Sequence, residues 1–150
     1  MLKISAMIEV ENDERRLGRL LETLRAMDEI VVVDHGSTDG TAKLARQYGA
    51  KVLSSADAAL LACSSDWVLV LRPDEGIYED FEATLLEWRS LEPDAAAYAV
   101  AILADNQGKK SFLPPEVRLA HRSRAKWRGL LPETSQPHRV LVGHIARYSE

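Results

Sequence analysis

The sequence predicts an α/β fold in which an open, mostly parallel sheet carries flanking helices. Short apolar segments at 4–10, 29–34, 50–53 and 66–71 alternate with segments of helical periodicity. The segment at 29–34, EIVVVD, is a continuous β-branched run, which is typical of a strand covered on both faces of a parallel sheet. Parallel strands need crossover connections, and these are right-handed in nearly all known sheets.

A helix is predicted directly after the first strand. Asn12 is a suitable N-cap, and Asp13 with Glu14 places acidic groups in the first turn, where they complement the helix dipole. A spacing of i, i+3, i+4 and i+7 then defines one buried stripe. That stripe consists of Leu17, Leu20, Leu21 and Leu24.

A second helix follows the strand at 29–34. Thr38 is its predicted N-cap and Gly49 its C-terminal stop. A strand at 50–53, a short helix at 56–63 and a strand at 66–71 come next. The buried stripe of the second helix comprises Thr41, Leu44, Ala45 and Tyr48.

The pattern changes after residue 76. A strand at 95–103 and a turn at 106–110 predict a hairpin whose returning strand is 111–113, although the alanines of 95–103 would also suit a helix. Before this hairpin one more helix is expected, because apolar side chains recur at helical spacing. These side chains are Tyr78, Phe81, Leu85 and Trp88.

The last part of the chain has weaker signals. Pro114 and Pro115 are expected to break the strand ladder, since proline has no backbone N–H, and 116–121 begins another extended segment. Beyond it the sequence predicts only a short strand near 125–128.

The composition indicates a single domain, residues 1–150. Hydrophobic residues make up 46% and charged residues 28%, as in ordinary globular proteins. The longest apolar run, 95–104, is half as long as the ~20 residues that a membrane-spanning helix needs. The N-terminus lacks the apolar core of a signal peptide, and Cys63 has no second cysteine with which to form an internal disulfide. We therefore expect a cytoplasmic protein.

Charge is unevenly distributed. The formal net charge is −4, with −8 on residues 1–110 and +4 on residues 111–150. Five basic residues between 118 and 128 suit a phosphate-rich ligand or an anionic lipid surface, or form a solvated edge strand. Nucleic acid is not an expected partner, because the chain as a whole is acidic and the basic segment lacks interleaved aromatic residues.

Polar residues follow three of the predicted parallel strands: Glu9–Glu11, Asp34–Asp39 and Arg72–Glu75. Ligands of open α/β sheets bind outside the carboxyl ends of the strands, so these clusters are expected to meet in one crevice. The segment DHGSTDGT (34–41) suits a nucleotide: Gly36 permits unusual backbone angles, Ser37 and the helix amides donate hydrogen bonds, and Asp34 accepts them. The alternative is a well-capped turn without a ligand.

Two adjacent acids, Asp74 and Glu75, follow the strand at 66–71. Carboxylate oxygens are the ligands that Mn²⁺ and Mg²⁺ prefer, and such an ion would bridge a diphosphate. Paired acids in turns are also common at protein surfaces.

Together these motifs resemble glycosyltransferase family 2, the inverting nucleotide-sugar transferases with the A-type glycosyltransferase fold. IEVENDERRLGRLLETL resembles the family's opening strand and helix, EIVVVDHGSTDGT its uridine- and ribose-binding turn, and VRLAHRSRAKWRGLLPE (117–133) its acceptor-side segment. The resemblance covers roughly residues 3–133. It implies a nucleotide-sugar-binding half, 1–76, and an acceptor-side half, 77–150. Within bacteria it is similar to lipopolysaccharide-core glucosyltransferases.

The chain departs from the family pattern at three places. Arg72 stands where the family's Asp-x-Asp signature has its first acid, although Asp74 keeps the second. Asp57 and the alanine before it replace an Arg-Asn pair, and Pro132 replaces a histidine. The chain also ends at Glu150, so we expect a reduced acceptor part. A divalent metal should bind more weakly, and the Arg72 guanidinium could itself neutralise a diphosphate.

The resemblance implies transfer of a sugar from a nucleotide-diphosphate donor to a cell-envelope saccharide or lipid-linked acceptor. Glu133 is the expected general base, and Asp74 with Glu75 the metal ligands. An alternative is a catalytically inactive module that binds a nucleotide, a sugar or a partner protein. Peripheral membrane contact and a homodimer are further expectations. The predicted donor-binding residues are Glu9, Asp34, Gly36, Ser37, Asp39, Arg72 and Arg118.

Overall fold

Strands and helices alternate along the first half of the chain, and longer strands dominate the second. The computed structural model describes residues 1–149. The first half contains β1 (Ile4–Val10), α1 (Glu14–Glu22), β2 (Glu29–Asp34), α2 (Thr41–Gln47), β3 (Lys51–Leu53), α3 (Ala59–Ala62), β4 (Trp67–Leu71) and β5 (Glu75–Ile77). The second half contains α4 (Glu79–Trp88), β6 (Ala97–Asn106), β7 (Lys109–His121), β8 (Trp127–Arg128), β9 (Leu131–Pro132) and β10 (Arg139–Tyr148).

Eight of the strands form one sheet in the order β3-β2-β1-β4-β7-β6-β10-β5, and β8 pairs with β9 in a separate ribbon. The four strands β3, β2, β1 and β4 are mutually parallel. The carboxyl ends of β1, β2 and β4 are level, because Val10 pairs with Asp34 and Ile8 with Leu71. The predicted open, mostly parallel sheet with flanking helices is confirmed.

The second half extends this sheet by a route that the sequence analysis did not predict. β7 runs antiparallel to both β4 and β6, and β10 lies parallel to β6 and antiparallel to β5. The prediction missed β10, a ten-residue strand, and β5. Pro114 and Pro115 break the ladder, as predicted, but β7 continues through them, so 116–121 is not a separate segment. The register between β6 and β7 shifts there, between Val100/Glu116 and Ile102/Leu113, so a bulge accommodates the prolines.

Both predicted N-caps were wrong by one or two residues. Asp13 caps α1, and Asn12 has a positive φ of 53°. Gly40 occupies the N-cap of α2, where Thr38 was expected. The cause is a contact between the two loops: the Asn12 side chain accepts hydrogen bonds from the backbone of the loop before α2.

The core lies on both faces of the sheet. One face packs the apolar stripes of α1 and α4, including Leu17, Leu20, Phe81 and Leu85, each 0% exposed. The other face packs α3, with the buried Cys63 among its contacts. Burial raises the pKa of the Cys63 thiol to about 11, so the thiol is protonated and unreactive at neutral pH. Among the described residues, no helix is long and apolar enough to cross a membrane.

Candidate functional site

The three polar clusters meet at the carboxyl edge of the parallel strands. The Asn12 backbone N–H donates to Ser37 Oγ at 2.9 Å, and Asn12 Oδ1 accepts from the Thr38 backbone N–H at 2.8 Å. The turn after β4 lies close by, since Arg16 Nη1 on α1 is 4.0 Å from Asp74 Oδ2. The three clusters therefore lie close together at this edge of the sheet, although Glu9 and Asp34 line separate cavities.

Asp34 and Ser37 define the turn at the end of β2. Asp34 Oδ1 accepts hydrogen bonds from the Ser37 backbone N–H at 3.0 Å and from Ser37 Oγ. Gly36 has a φ of +79°, a conformation that side chains with a Cβ rarely adopt. Asp34 and Gly36 line a cavity of about 400 Å³ together with Arg46.

Glu9 lies at the neighbouring end of β1. Its exposed carboxylate is 2.7 Å from Nε2 of His35, which places a paired acid and imidazole at the mouth of the crevice. Glu9 also lines a cavity of about 500 Å³. The opposite wall of this cavity contains Asp57, Leu60, Arg128, Leu130 and Leu131. Apolar walls with a few polar groups are typical of small-molecule sites.

Asp39 caps α2. Its Oδ1 accepts a hydrogen bond from the Thr41 backbone N–H at 3.0 Å and a second one from the Thr41 hydroxyl. The Thr41 hydroxyl bond is the main reason that the pKa of Asp39 is lowered. Both bonds serve the start of the helix, so Asp39 shapes the turn that presents Ser37.

The turn after β4 carries two ion pairs of different character. Arg72, whose side chain is 55% exposed, forms a bidentate pair with Asp74, with distances of 3.0 Å from Nε and 2.8 Å from Nη2. Glu75 is 0% exposed, and its carboxylate accepts two 2.7 Å hydrogen bonds from Arg118 and further ones from Arg147. Arg118 is 4% exposed and also donates to the Val70 carbonyl. Glu75 and Arg118 are thus each other's partners, and in this structure neither is offered to a ligand.

The predicted metal site does not fit the residues present. A hard divalent cation needs several free oxygen ligands. Here Arg72 occupies the Asp74 carboxylate, and two arginines occupy the Glu75 carboxylate. Within residues 1–149, no group of three or more histidine, cysteine, aspartate or glutamate side chains is arranged to hold a metal ion.

Glu133 follows the β8–β9 ribbon. Its Oε1 accepts a hydrogen bond from Arg128 Nε at 3.1 Å, and Arg128 lines the same cavity as Glu9. The Glu133 backbone is fixed by hydrogen bonds to the Lys126 carbonyl at 2.9 Å and from the Gln136 side chain at 2.9 Å. Glu133 therefore lies next to the crevice on a braced segment.

Some residues of the site escaped sequence reasoning. Arg147 belongs to β10, a strand that was not predicted, and Glu116 joins it in the network around Glu75 at 3.2 Å. Gln136 is 6% exposed and braces the segment before it, yet a lone glutamine in a loop has no distinctive pattern. For Glu116 and Arg147 the available signal was the alternation of polar and apolar residues in β7 and β10.

Comparison with known proteins defines the class. The family model described as Glycosyl transferase family 2 matches residues 5–146, so the chain belongs to this family. The lipopolysaccharide core biosynthesis glycosyltransferase LpsC of Rhizobium meliloti is 32% identical over 113 residues, which cover 67% of this chain and 42% of that protein. An uncharacterized glycosyltransferase of Rickettsia typhi is 34% identical over 91 residues, which cover 55% of this chain and 31% of that protein. The chain thus spans less than half the length of these relatives.

Comparison with solved structures adds information on the fold. TarS of S. aureus (residues 1–349) is 22% identical, with a TM-score of 0.57 over 75% of this chain and 38% of that one, and the same fragment has been solved in complex with UDP. Glucosyl-3-phosphoglycerate synthase of Mycobacterium tuberculosis, solved with Mn²⁺ and UDP, is 21% identical, with a TM-score of 0.48 over 69% of this chain and 44% of that one. The TarS comparison supports the A-type glycosyltransferase fold.

Proposed function

We propose that this chain binds a nucleoside-diphosphate sugar in the crevice at the carboxyl ends of β1, β2 and β4, and transfers the sugar with inversion to a cell-envelope saccharide or lipid-linked acceptor. The observation that carries the proposal is that the segments after β1, β2 and β4, which contain Asn12, Ser37 and Asp74, lie close together at one edge of the sheet. The name of LpsC supports a saccharide acceptor in the envelope. The UDP complex of TarS supports a uridine nucleotide as donor.

The donor's nucleoside is assigned to the first two strand ends. Asp34 accepts hydrogen bonds from ribose or base, Gly36 lets the backbone approach, and Glu9 lies at the adjacent cavity. Ser37 and Asp39 hold the turn in shape. The diphosphate is assigned to the half-exposed Arg72 at the end of β4.

Inversion requires a single displacement. An acceptor hydroxyl oxygen attacks the anomeric carbon, its proton passes to Glu133 Oε, and the bond from the anomeric carbon to the diphosphate oxygen breaks with its electron pair leaving on that oxygen. The braced Glu133 carboxylate suits the role of base, and Arg128 holds its orientation. Cationic groups facing the leaving diphosphate stabilise the charge that develops there.

The acceptor side carries a basic surface. Arg124, Lys126 and Arg128 are exposed around the β8–β9 ribbon. Anionic lipid head groups attract such a cluster, so this surface supports peripheral contact with a membrane that presents a lipid-linked acceptor. Trp127 is partly buried and donates to the His121 carbonyl at 3.3 Å, so it packs beneath this surface. A homodimer stays a prediction.

Calorimetric titration with UDP, UDP-glucose and GDP-mannose, each with and without manganese, tests the proposal. We expect saturable binding of one uridine or guanosine nucleotide. Asp34→Ala should weaken that binding, because it removes the acceptor at the end of β2. If none of the three ligands binds, with or without manganese, the proposal is contradicted and a module that acts through a partner protein is favoured.

A further inference from the structure

The ion pair between Arg72 and Asp74 places a guanidinium at the end of β4, beside the crevice. Asp74 is 10% exposed at its side chain and lies beneath Arg72, which covers both carboxylate oxygens with two parallel N–H donors. Hydrogen bonding to Asp74 raises the pKa of Arg72, so the guanidinium is charged throughout the physiological range. Two of its five N–H groups serve Asp74, and the others remain for a second anion.

The pair is held on a rigid turn. The Arg72 backbone N–H donates to Glu75 Oε1 at 2.8 Å, and Glu75 is in turn fixed by Arg118 and Arg147. Because every one of these partners is buried or partly buried, the position of Arg72 at the end of β4 is well defined. A preorganised guanidinium binds an oxyanion with little loss of conformational entropy.

A second guanidinium approaches the same oxygen of Asp74 that Arg72 Nη2 binds. Arg16 on α1 approaches Asp74 Oδ2 to 4.0 Å while its Nη2 bonds Asp13. A divalent ion bound to Asp74 would therefore lie close to two positive groups and would have to displace Arg72 from the carboxylate. Electrostatic repulsion makes that arrangement unfavourable.

We propose that Arg72 serves in place of a divalent metal: its guanidinium binds the diphosphate of the donor directly, and donor binding does not depend on a metal ion. Asp74 acts as a positioning residue that orients the guanidinium and leaves its outer N–H groups toward the ligand. A guanidinium suits this role because it matches two phosphate oxygens at once. This inference rests on the proposed function and specifies how its diphosphate site works.

Calorimetry with UDP and GDP, in EDTA and in manganese, tests it. For the wild type we expect dissociation constants that agree within about twofold in the two conditions. Arg72→Ala should weaken binding about 10- to 100-fold in EDTA, as expected for the loss of charged hydrogen bonds. Arg72→Asp should bind the nucleotide only in manganese, because it adds a second carboxylate beside Asp74.

The matched control is Arg139→Ala. Arg139 on β10 is 66% exposed and pairs with one carboxylate, Asp94, at 3.4 Å, so it resembles Arg72 in exposure but lies outside the crevice. This variant should bind like the wild type, and melting temperatures of all variants verify folding. Wild-type binding that requires manganese, or unchanged binding by Arg72→Ala, overturns the inference alone. Absence of nucleotide binding by the wild type in both conditions overturns the proposed function, and the inference with it.

Discussion

The two halves of the molecule are built differently. In residues 1–76, two crossovers connect neighbouring parallel strands, β1 to β2 and β2 to β3, and a third carries the chain from β3 to β4 on the other side of β1. The site residues there are held by short-range turns such as Asp34 with Ser37. In residues 77–149, strands distant in sequence pair with each other, and β10 inserts between β6 and β5. The first half supplies the strand ends of the crevice, and the β8–β9 ribbon of the second half supplies one wall. The second half clamps the last turn of the first through Arg118 and Arg147, and it supplies Glu133.

The largest expected effect separates donor binding from transfer. Glu133→Gln should lower the transfer rate about 10²- to 10⁴-fold, the usual contribution of a general base, and leave the donor dissociation constant nearly unchanged. Steady-state kinetics beside calorimetry would measure both. Glu92→Gln, on an exposed loop, is the control with wild-type rates. If Glu133→Gln transfers at the wild-type rate, Glu133 is not the base.

The clamp between the halves should dominate stability at the turn after β4. Glu75→Gln removes the buried charge that Arg118, also buried, and the partly buried Arg147 share, and we expect a loss of about 3–5 kcal/mol in the free energy of unfolding. The neighbouring Asp74→Asn should cost about 1 kcal/mol or less, because its partner Arg72 is half exposed. Urea denaturation of both variants compares them directly. Equal losses would mean that the second half does not clamp the turn.

Two glycines with positive φ, one in each half, test the difference in packing between the halves. Gly143 in β10 has a φ of +104°, and an added Cβ would lie 2.6 Å from the Phe81 backbone nitrogen on α4. Gly36 in the crevice has a φ of +79°, but its Cβ would meet nothing within 4 Å. Gly36→Ala should therefore cost about 1–2 kcal/mol from backbone strain, and Gly143→Ala about 1–3 kcal/mol more from overpacking. Thermal unfolding that ranks the two variants in the opposite order would contradict the packing of α4 against β10.

The smallest expected effect concerns Glu29, which lies at the amino end of β2 in the first half. Burial raises the pKa of Glu29, but hydrogen bonds from Lys51 and Ser64 outweigh it and lower the pKa to about 2 from 4.5. A pKa that is lower in the folded state stabilises the fold above about pH 4.5, and this contribution disappears as the pH falls toward 2. Glu29→Gln should reduce the pH dependence of the free energy of unfolding over that interval, whereas Glu87→Gln, at an exposed position, should not. If the free energy of unfolding of Glu29→Gln depends on pH as in the wild type, Glu29 does not have a lowered pKa in the folded protein.

The sequence predicted the first half well because its signals are local. The β-branched run of β2, the leucine stripe of α1 and the Asp34–Ser37 turn each lie within a few residues. The bounds of β1, Ile4–Val10, were predicted correctly. The loop caps were missed because Asn12 bonds across to Thr38, a contact between residues 26 apart.

The second half resisted prediction because its pairings are long-range. The β10 segment RVLVGHIARY is interrupted by a glycine, and only its partners β6 and β5 make it a strand. For the same reason Glu75 looked like a free acid, since Arg147, which binds it, is 72 residues away. The crevice could be located from the sequence, but the partners that decide which of its charges are free could not.

The central claim is that a nucleoside diphosphate binds at the carboxyl ends of β1, β2 and β4. The most direct measurement is titration of ¹⁵N-labelled protein with UDP, followed by amide chemical shifts. The account predicts shift changes concentrated at Asn12, Ser37 and Arg72, with little change at Trp67 and His121, which line a cavity at the opposite end of β4. Changes confined to that opposite end, or to the β6–β7 hairpin, would contradict it.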